Sequence, residues 1–344
     1  MKMFDRALKA VGLRRVKASI YKGAEYGRLL MDWVLSACTI DQEIRTDLYR
    51  LRGHARDLAK NNPFIRQYLT LLPVNVIGAN GMTMQAQVRN NNGELNKAIN
   101  DKVEAGWAEW SKSVTPCGKM SRIQFEHLVI KTVATDGEAF VRKLIGFPNR
   151  HGFALQLIDS DMIDHEFNRP RERGKNEIRL GVETDEWRRP VAFWFYDRPM
   201  NDVNGTASDR IRIPAEEIIH LYDPERTNQT RGTTWFNSVM VPIKMLAGYS
   251  EAELVAARTG ASNMGWLEYG EGSDFEAPDP KTPIKMEAKP GSVQMLPPGL
   301  TFKEWSPSHP NTAYPIFVKD VKRDIATGLR VSYNSLFNDL EGVN

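Results

Sequence analysis

A dense group of acidic side chains lies in one short stretch, IDSDMIDHEFN, at residues 158–168. Its titratable members are Asp159, Asp161, Asp164, His165 and Glu166. Carboxylates beside an imidazole are ligands that Mg²⁺ and Mn²⁺ accept, so the stretch could form the metal site of a nuclease. Acids that follow a strand also commonly make Asx turns or cap the next element. A nuclease site would need further metal ligands from elsewhere in the chain, and no motif in the sequence indicates them. We therefore expect turns here and no metal.

Other catalytic patterns are absent from the sequence. DGEAF at 136–140 reads as a turn followed by a strand. The remaining histidines are isolated, and no HExxH, GxSxG, Walker A or GxGxxG motif occurs; these histidines are His54, His127, His151, His220 and His309. Cys38 and Cys117 are the only cysteines, too few for a disulfide framework, and we expect two buried thiols. The sequence therefore predicts no catalytic residue and no cofactor, and favours a mechanical or architectural role over an enzyme.

A basic amphipathic segment, RGHARDLAKNNPFIRQYL, begins at residue 52. Its cations could hold nucleic acid or form the solvated face of a helix. Apolar side chains recur at helical spacing before Asn61-Asn62-Pro63 and again after it, and proline suits a first helical turn. The pattern predicts two helices, each with one buried face, and favours the solvated reading for Arg52, Arg56 and their basic neighbours.

The period of the apolar residues changes along the chain and indicates an α+β fold. Helical spacing dominates 51–135, including a stripe expected in the core: Leu95, Ile99, Val103, Trp107 and Trp110. Ser121 is the expected N-cap of a helix that ends at Asp136-Gly137. Residues 138–222 hold short β-rich runs, and helix returns at 236–260, with Pro242 at a kink or at the true start. Nine of the nineteen prolines lie in 278–315, and helical spacing resumes over 314–336.

Composition sets further limits. The 344 residues are 41% hydrophobic and 26% charged with a net charge of +3, which suits two or three soluble globular domains and argues against a protein that coats nucleic acid. Residues 1–60 carry thirteen Lys or Arg against seven acids, whereas 251–280 carry seven acids and one base. The chain has no signal-peptide core and no stretch of 18 uninterrupted apolar residues, so we expect neither classical secretion nor a membrane span.

Taken together, several stretches resemble the lambda-like family of portal proteins of tailed bacteriophages. They cover nearly the whole chain in this order: YKGAEYGRLLMDW, RGHARDLAKNNPFIRQYLTLLPVNVIGANGM, the Trp107/Trp110 pair, VATDGEAFVRK, LQLIDSDMI, IHLYDPERTNQTRGTTWFNSV and VKRDIATGLRVSYNSLFNDLEGVN. The resemblance implies the portal fold and a ring, usually of twelve subunits, at one capsid vertex. DNA is packaged through this ring and later leaves through it.

The resemblance also implies partners and a division of the chain. The partners would be further copies of the chain, the terminase large subunit, major capsid and head-completion proteins, and double-stranded DNA that passes without sequence readout. The location would be the virion, and the host cytoplasm during assembly. A basic arm with short helices would span 1–50, a wing 51–235, a stem helix 236–262, a clip 263–313 and a return stem helix 314–344. The basic face of 52–66 would then meet a protein, and the C-terminal part of the family pattern is missing from this chain.

Two sets of charged residues follow as candidate sites. The stem helices would line or support the channel, with four cations as candidates for transient DNA contact: Lys244, Lys319, Lys322 and Arg323. The last three share one helix face, although pairing with Asp320 or Asp324 on an outer surface is the alternative. The acids of 266–280 would lie near the clip, where they repel DNA or meet a basic motor surface: Glu268, Glu271, Asp274, Glu276 and Asp279. A solvated loop is the alternative for these acids.

Two other classes of function stay open from the residues alone. A metal-dependent nuclease that uses the 159–166 acids would lose DNA cleavage when Asp159 and Asp161 become Ala. A nucleic-acid-binding module would bind as a monomer, with an affinity that falls steeply with salt. The portal interpretation predicts neither behaviour.

Overall fold

A computed structural model describes residues 38–198, 209–261, 265–269, 300–304 and 314–341. The acidic residues Glu271, Asp274, Glu276 and Asp279 lie outside these ranges, as does the arm before Cys38. The described helices are α1 (Ile40–Asn61), α2 (Pro63–Val76), α3 (Lys97–Trp110), α4 (Arg122–Asp136), α5 (Met240–Ala261), α6 (Tyr314–Gly328) and α7 (Tyr333–Phe337). None of them is long and apolar enough to cross a membrane.

The strands are β1 (Glu138–Ile145), β2 (Phe153–Ile158), β3 (Glu177–Arg179), β4 (Val182–Thr184), β5 (Pro190–Tyr196), β6 (Arg210–Pro214), β7 (Ile218–Tyr222), β8 (Gly265–Tyr269) and β9 (Leu300–Glu304). They form three antiparallel sheets, in the orders β2-β1-β7, β3-β4-β5-β6 and β8-β9. β6 is a strand that the sequence pattern did not predict. Helices and antiparallel strands in separate runs make the fold α+β, as expected.

Local sequence signals account for the helix boundaries around the first sheet. The side chain of Asn62 accepts hydrogen bonds from the backbone N–H groups of Phe64 and Ile65, and Pro63 occupies the first turn of α2. Ser121 caps α4 in a capping box with Gln124, and α4 ends at Gly137 in the left-handed region with φ +89°. The predicted pair of helices and the predicted cap are therefore confirmed. The first helix starts at Ile40 and runs without a break through residue 51.

The core has separate helical and sheet parts. One cluster joins the helices and includes Ile65 on α2, Phe236, Ile243 on α5 and Ile325 on α6. A second cluster lies between the two larger sheets and centres on aromatic side chains such as Phe140 and Phe193. On its other face, the first sheet packs against Trp110 and Phe125 through Val141. The β1 strand is therefore covered on both faces, which explains its run of buried residues.

Three expectations about burial and helix length are wrong. Leu95, Ile99, Val103 and Trp107 are exposed, and only Trp110 of the α3 stripe is buried, because the last turn of α3 alone reaches the sheet. Cys38 and Cys117 are both exposed. The expected helix over 314–336 is two helices, since the chain turns at Arg330 with a positive φ before Ser332 caps α7.

Candidate functional site

A buried carboxylate lies at the start of β1, where α1, α4 and the 229–234 segment meet. The side chain of Glu138 is fully buried and accepts hydrogen bonds from two arginines. The Nη2 atom of Arg231 lies 2.5 Å from its Oε1, and the Nη2 atom of Arg52 lies 2.8 Å from the same oxygen. The Nε2 atom of His220 and the backbone N–H of Gly232 contact Oε2 at 2.9 and 3.2 Å. Arg231 bonds Glu138 through Nε and Nη2, and its Nη1 atom donates to the carbonyl oxygen of Leu180 at 2.8 Å.

The same network extends to the acids of the 158–168 stretch through α1. Arg52 bonds Asp161 at 2.7 Å, and Arg56, one turn further along α1, bonds the other oxygen of Asp161 at 2.5 Å. Arg56 also forms a two-atom contact with Asp136 at 2.8 and 2.7 Å, and it reaches Asp159 at 2.7 Å. The expected Asx turn is present, because the side chain of Asp159 accepts a hydrogen bond from the backbone N–H of Asp161.

Protonation of these groups follows from burial and charge. Burial alone raises the pKa of Glu138, but the charge and hydrogen bonds of Arg231 and the bond from His220 outweigh it, so the pKa of Glu138 lies well below its ordinary value. Burial lowers the pKa of His220, although its bond to Glu138 acts in the opposite direction. Burial raises the pKa of Asp136 despite the contact with Arg56. Near neutral pH the network therefore holds an ionised Glu138 and a neutral His220.

The acidic stretch at 158–168 and the basic segment that begins at residue 52 form ion pairs with each other. Every carboxylate that a metal ion would need is already bonded to an arginine, and the described residues contain no group of acids, histidines or cysteines placed to hold a metal. The solvated reading of the basic face is wrong for Arg52, which is buried, and for Arg56, which is bonded to three acids. His220 is also not isolated, since it stacks between Phe140 and Tyr222. The network is a structural joint between α1 and the first sheet.

The sequence analysis missed this network because its members are far apart along the chain. Arg52 and Glu138 are 86 residues apart, and Arg231 and Glu138 are 93 residues apart. One signal was available: Arg52 and Arg56 are four residues apart on one helix face, and Asp159 and Asp161 follow a strand as a pair. Two arginines on one helix face can form ion pairs with two acids that follow a neighbouring strand.

The cations proposed for DNA contact lie on two helices that pack together. On α6, Lys319 bonds Glu341 at 2.9 Å, which raises the pKa of Lys319, and Arg323 bonds Asp320 at 2.9 Å. Lys322 lies over the rings of Phe64 and Phe337, with its Nζ atom 5.8 and 5.4 Å from the ring centres. Lys244 is exposed on α5 and makes no ion pair with any described residue. The structure thus brings Lys319, Lys322 and Arg323 to one short helix and leaves Lys244 apart.

Of the acids proposed for docking, only Glu268 falls within a described element. It lies in β8 and pairs in register with Thr301 of β9. β8 and β9 form a two-stranded antiparallel sheet.

An apolar groove of about 580 Å³ lies beside α4 and the first sheet. Its lining residues include Trp107, Val129, Leu221, Asp223 and Trp235. The buried Nε1 atom of Trp235 has no hydrogen-bond partner among the described residues. Of the exposed residues in the α3 stripe, Trp107 lines this groove.

The chain is similar in sequence to known proteins over most of its length. A model of the family described as phage portal protein, lambda family, matches residues 26–344. The chain is 36% identical over 337 residues to a probable portal protein of Halomonas phage phiHAP-1, and 23% identical to portal protein B of Escherichia phage lambda. These matches cover 94% and 91% of this chain. The chain spans 65% of the length of each of the two relatives.

Solved structures of phage-like particles share the fold. The neck of a native gene transfer agent particle, computed with C12 symmetry, matches with a TM-score of 0.53 and 12% identity, over 87% of this chain and 72% of that one. The neck of an empty particle, computed with C6 symmetry, matches with the same TM-score and 14% identity, over 87% and 73% of the two chains. At these identities the likeness shows a common fold.

Proposed function

The chain belongs to the lambda family of phage portal proteins, and on this premise we propose that it is a subunit of the ring that connects head and tail at one capsid vertex. Viral DNA enters the capsid through this ring during packaging and leaves through it during ejection. The single observation that carries the proposal is the fold, which this chain shares with a neck structure computed with C12 symmetry. We infer a twelvefold ring located in the virion.

The role that we propose is structural and not catalytic. A nuclease would need open carboxylates in the 158–168 stretch, whereas Asp159 and Asp161 are bonded to arginines. No observation among the described residues favours a monomeric nucleic-acid-binding module.

Particle imaging tests the proposal directly. We expect the purified full chain to form closed rings of uniform size by electron microscopy and by mass photometry. A species that stays monomeric at high concentration would count against the ring. Metal-dependent DNA cleavage that is lost in D159A/D161A would instead support the nuclease alternative.

We further propose that Lys319, Lys322 and Arg323 contact the DNA backbone transiently. A ring repeats each cation many times, which gives numerous weak, salt-screened phosphate contacts without sequence readout. Lys319 and Arg323 are paired with acids at an exposed surface, where such pairs are weak and exchange with other anions. Lys244 lies on α5 among exposed apolar side chains, away from these three cations. Its contact with DNA stays a prediction.

Packaging and assembly must be measured separately to test these contacts. We expect the K319A/K322A/R323A variant to form normal rings and to package less DNA. The matched control is K175A, which removes an exposed lysine paired with Glu172 on another part of the surface. If the triple variant forms normal rings that package DNA normally, these three residues do not contact DNA during packaging.

The acids of 266–280 are proposed to dock a basic surface of the packaging motor, the terminase large subunit. Glu268, Glu271 and Asp274 follow one another without an intervening base, so a ring would concentrate their negative charge. Changing these three residues to Lys should impair terminase binding or packaging while rings persist. Unchanged packaging would contradict the proposal. We also propose that the ring binds the major capsid protein and head-completion proteins, and that it assembles in the host cytoplasm.

A further inference from the structure

Helix α5 has a second apolar face that no described residue covers. Its core face carries Ile243 and Leu246, which are buried with Phe236. On the opposite side, exposed apolar or small residues recur with the heptad-like spacing of helices that pack on one another. These residues are Val241, Met245, Gly248, Ala252 and Val255. Met245 is 70% exposed, which leaves this apolar side chain available for contact.

A gap at the centre of this face can receive a side chain. A Cβ atom added at Gly248 would meet no atom within 4 Å, so the position is open. Met245 and Ala252 bound the gap on either side, one turn away. Lys244 and Glu251 border the same face, seven residues apart, as charged residues border the apolar seam between two packed helices.

Helix α6 offers a complementary surface. Ile316 is 68% exposed, and Asp320 lies one turn further along the same side of the helix. Asp320 bonds Arg323 through Oδ1, while no described residue donates to its Oδ2 atom. On α6, the carboxylate of Asp320 follows Ile316 by one turn. On α5, Lys244 precedes the gap at Gly248 by one turn. The apolar group can therefore meet the gap while the two charged groups meet each other.

The directions of the two helices fit this match. Within one chain, α5 and α6 run in opposite directions, because Tyr249 contacts Tyr314 and Phe317 while Ser238, just before α5, bonds Gly328 at the end of α6. A twelvefold ring rotates each copy by only about 30° relative to its neighbour, so α6 of the next copy still runs nearly opposite to α5. Antiparallel approach that places Ile316 at Gly248 also brings Asp320 toward Lys244.

We propose that the exposed face of α5 packs against α6 of a neighbouring copy of this chain, with Ile316 in the gap at Gly248 and Asp320 paired with Lys244. This inference rests on the proposed ring, names one of its subunit contacts and assigns Lys244 to that contact in place of DNA. The contact is heterologous, since each copy offers α5 to one neighbour and α6 to the other, and such contacts close into rings.

Filling the gap tests the apolar part of the contact. In G248L, the new side chain lies in open space within the monomer, and leucine favours helix more than glycine does, so we expect the thermal midpoint of the monomer to stay the same or rise. The ring fraction should nevertheless fall about tenfold or more, because the leucine occupies the place of Ile316. G53L is the matched control, since Gly53 lies within α1 and a Cβ atom there also meets nothing within 4 Å.

A charge exchange tests the polar part. K244E and D320K should each reduce ring formation, and K244E/D320K should restore it, because the pair is then rebuilt with its charges reversed. Assembly is measured by analytical ultracentrifugation and imaging, and folding by circular dichroism.

The outcomes separate this inference from the proposed ring. Rings in the wild type and in G53L, with a ring fraction at least about tenfold lower in G248L and rescue in the double charge variant, support the contact. Rings of normal stability in G248L, or no rescue in K244E/D320K, overturn the contact and leave the ring standing. A wild-type chain without rings overturns both.

Discussion

At the scale of single residues, the stability of the fold depends on the buried ion pair between Glu138 and Arg231. Glu138 and Arg231 are both fully inaccessible. Replacing Glu138 with Gln leaves the buried Arg231 without a counter-charge, while Arg52 keeps Asp161, and the loss costs about 3–5 kcal/mol of unfolding free energy. We expect E138Q to lose that amount in urea unfolding. E172Q is the control, because Glu172 forms an exposed pair with Lys175 worth at most about 1 kcal/mol. An E138Q variant as stable as E172Q would contradict the central role of Glu138.

The same residues set the direction of the pH dependence. The pKa of His220 is lower in the folded chain than the ordinary value of about 6.5, so the unfolded chain binds the proton more readily. Stability contributed by neutral His220 is therefore complete above pH 6.5 and is lost as the pH falls below it. Burial also lowers the pKa of His165, which adds to the same slope. Between pH 7 and 5 we therefore expect the unfolding free energy of the wild type to fall.

The H220Q variant checks this assignment, since Gln can still donate to Glu138 but cannot be protonated in this range. We expect its unfolding free energy to depend less on pH between 7 and 5 than that of the wild type, with His165 accounting for the remainder. At lower pH, the depressed pKa of Glu138 predicts a further loss below its ordinary value of about 4.3, while the raised pKa of Asp136 acts in the opposite direction. An unchanged slope in H220Q would show that His220 does not titrate differently on folding.

At the scale of elements, the turn from α4 into β1 holds the network in place. Gly137 has φ +89°, and a Cβ atom there would overlap the backbone of Thr233. Gly232 approaches from the other side, so the two glycines let the 231–234 segment lie against the turn and bring Arg231 to Glu138. We expect G137A to cost about 3 kcal/mol or more, from the left-handed backbone and the overlap together. G146A is the control: Gly146 has φ +76° with open space around it, so only about 1–2 kcal/mol is expected.

What the sequence could predict of these elements follows from the range of the forces involved. Caps and turns are local, so Ser121, Pro63 and Gly137 marked their helix ends correctly. The β6 strand was missed because its residues, RIRIP, show little burial and take their place only by pairing with β5. The exposed stripe of α3 was assigned to the core because periodicity identifies an apolar face without saying whether this chain or another one covers it. Arg52 was read as solvated for the converse reason, since its acidic partners lie more than 80 residues away.

At the scale of the whole molecule, exposed apolar surface and assembly should be linked in the thermodynamics. If the α5 face is covered only by a neighbour, the ring is stabilised by mass action, and a hundredfold rise in protein concentration adds up to about 2.7 kcal/mol per subunit. We therefore expect the apparent Tm of the wild type to rise with protein concentration. G248L should show a smaller rise of Tm over the same series, because the leucine fills the gap and fewer chains gain stability from a neighbour. Differential scanning calorimetry over a concentration series measures both, with G53L expected to follow the wild type. A Tm independent of concentration in the wild type, at concentrations where rings assemble and dissociate, would mean that subunit contacts add nothing to the stability of the fold.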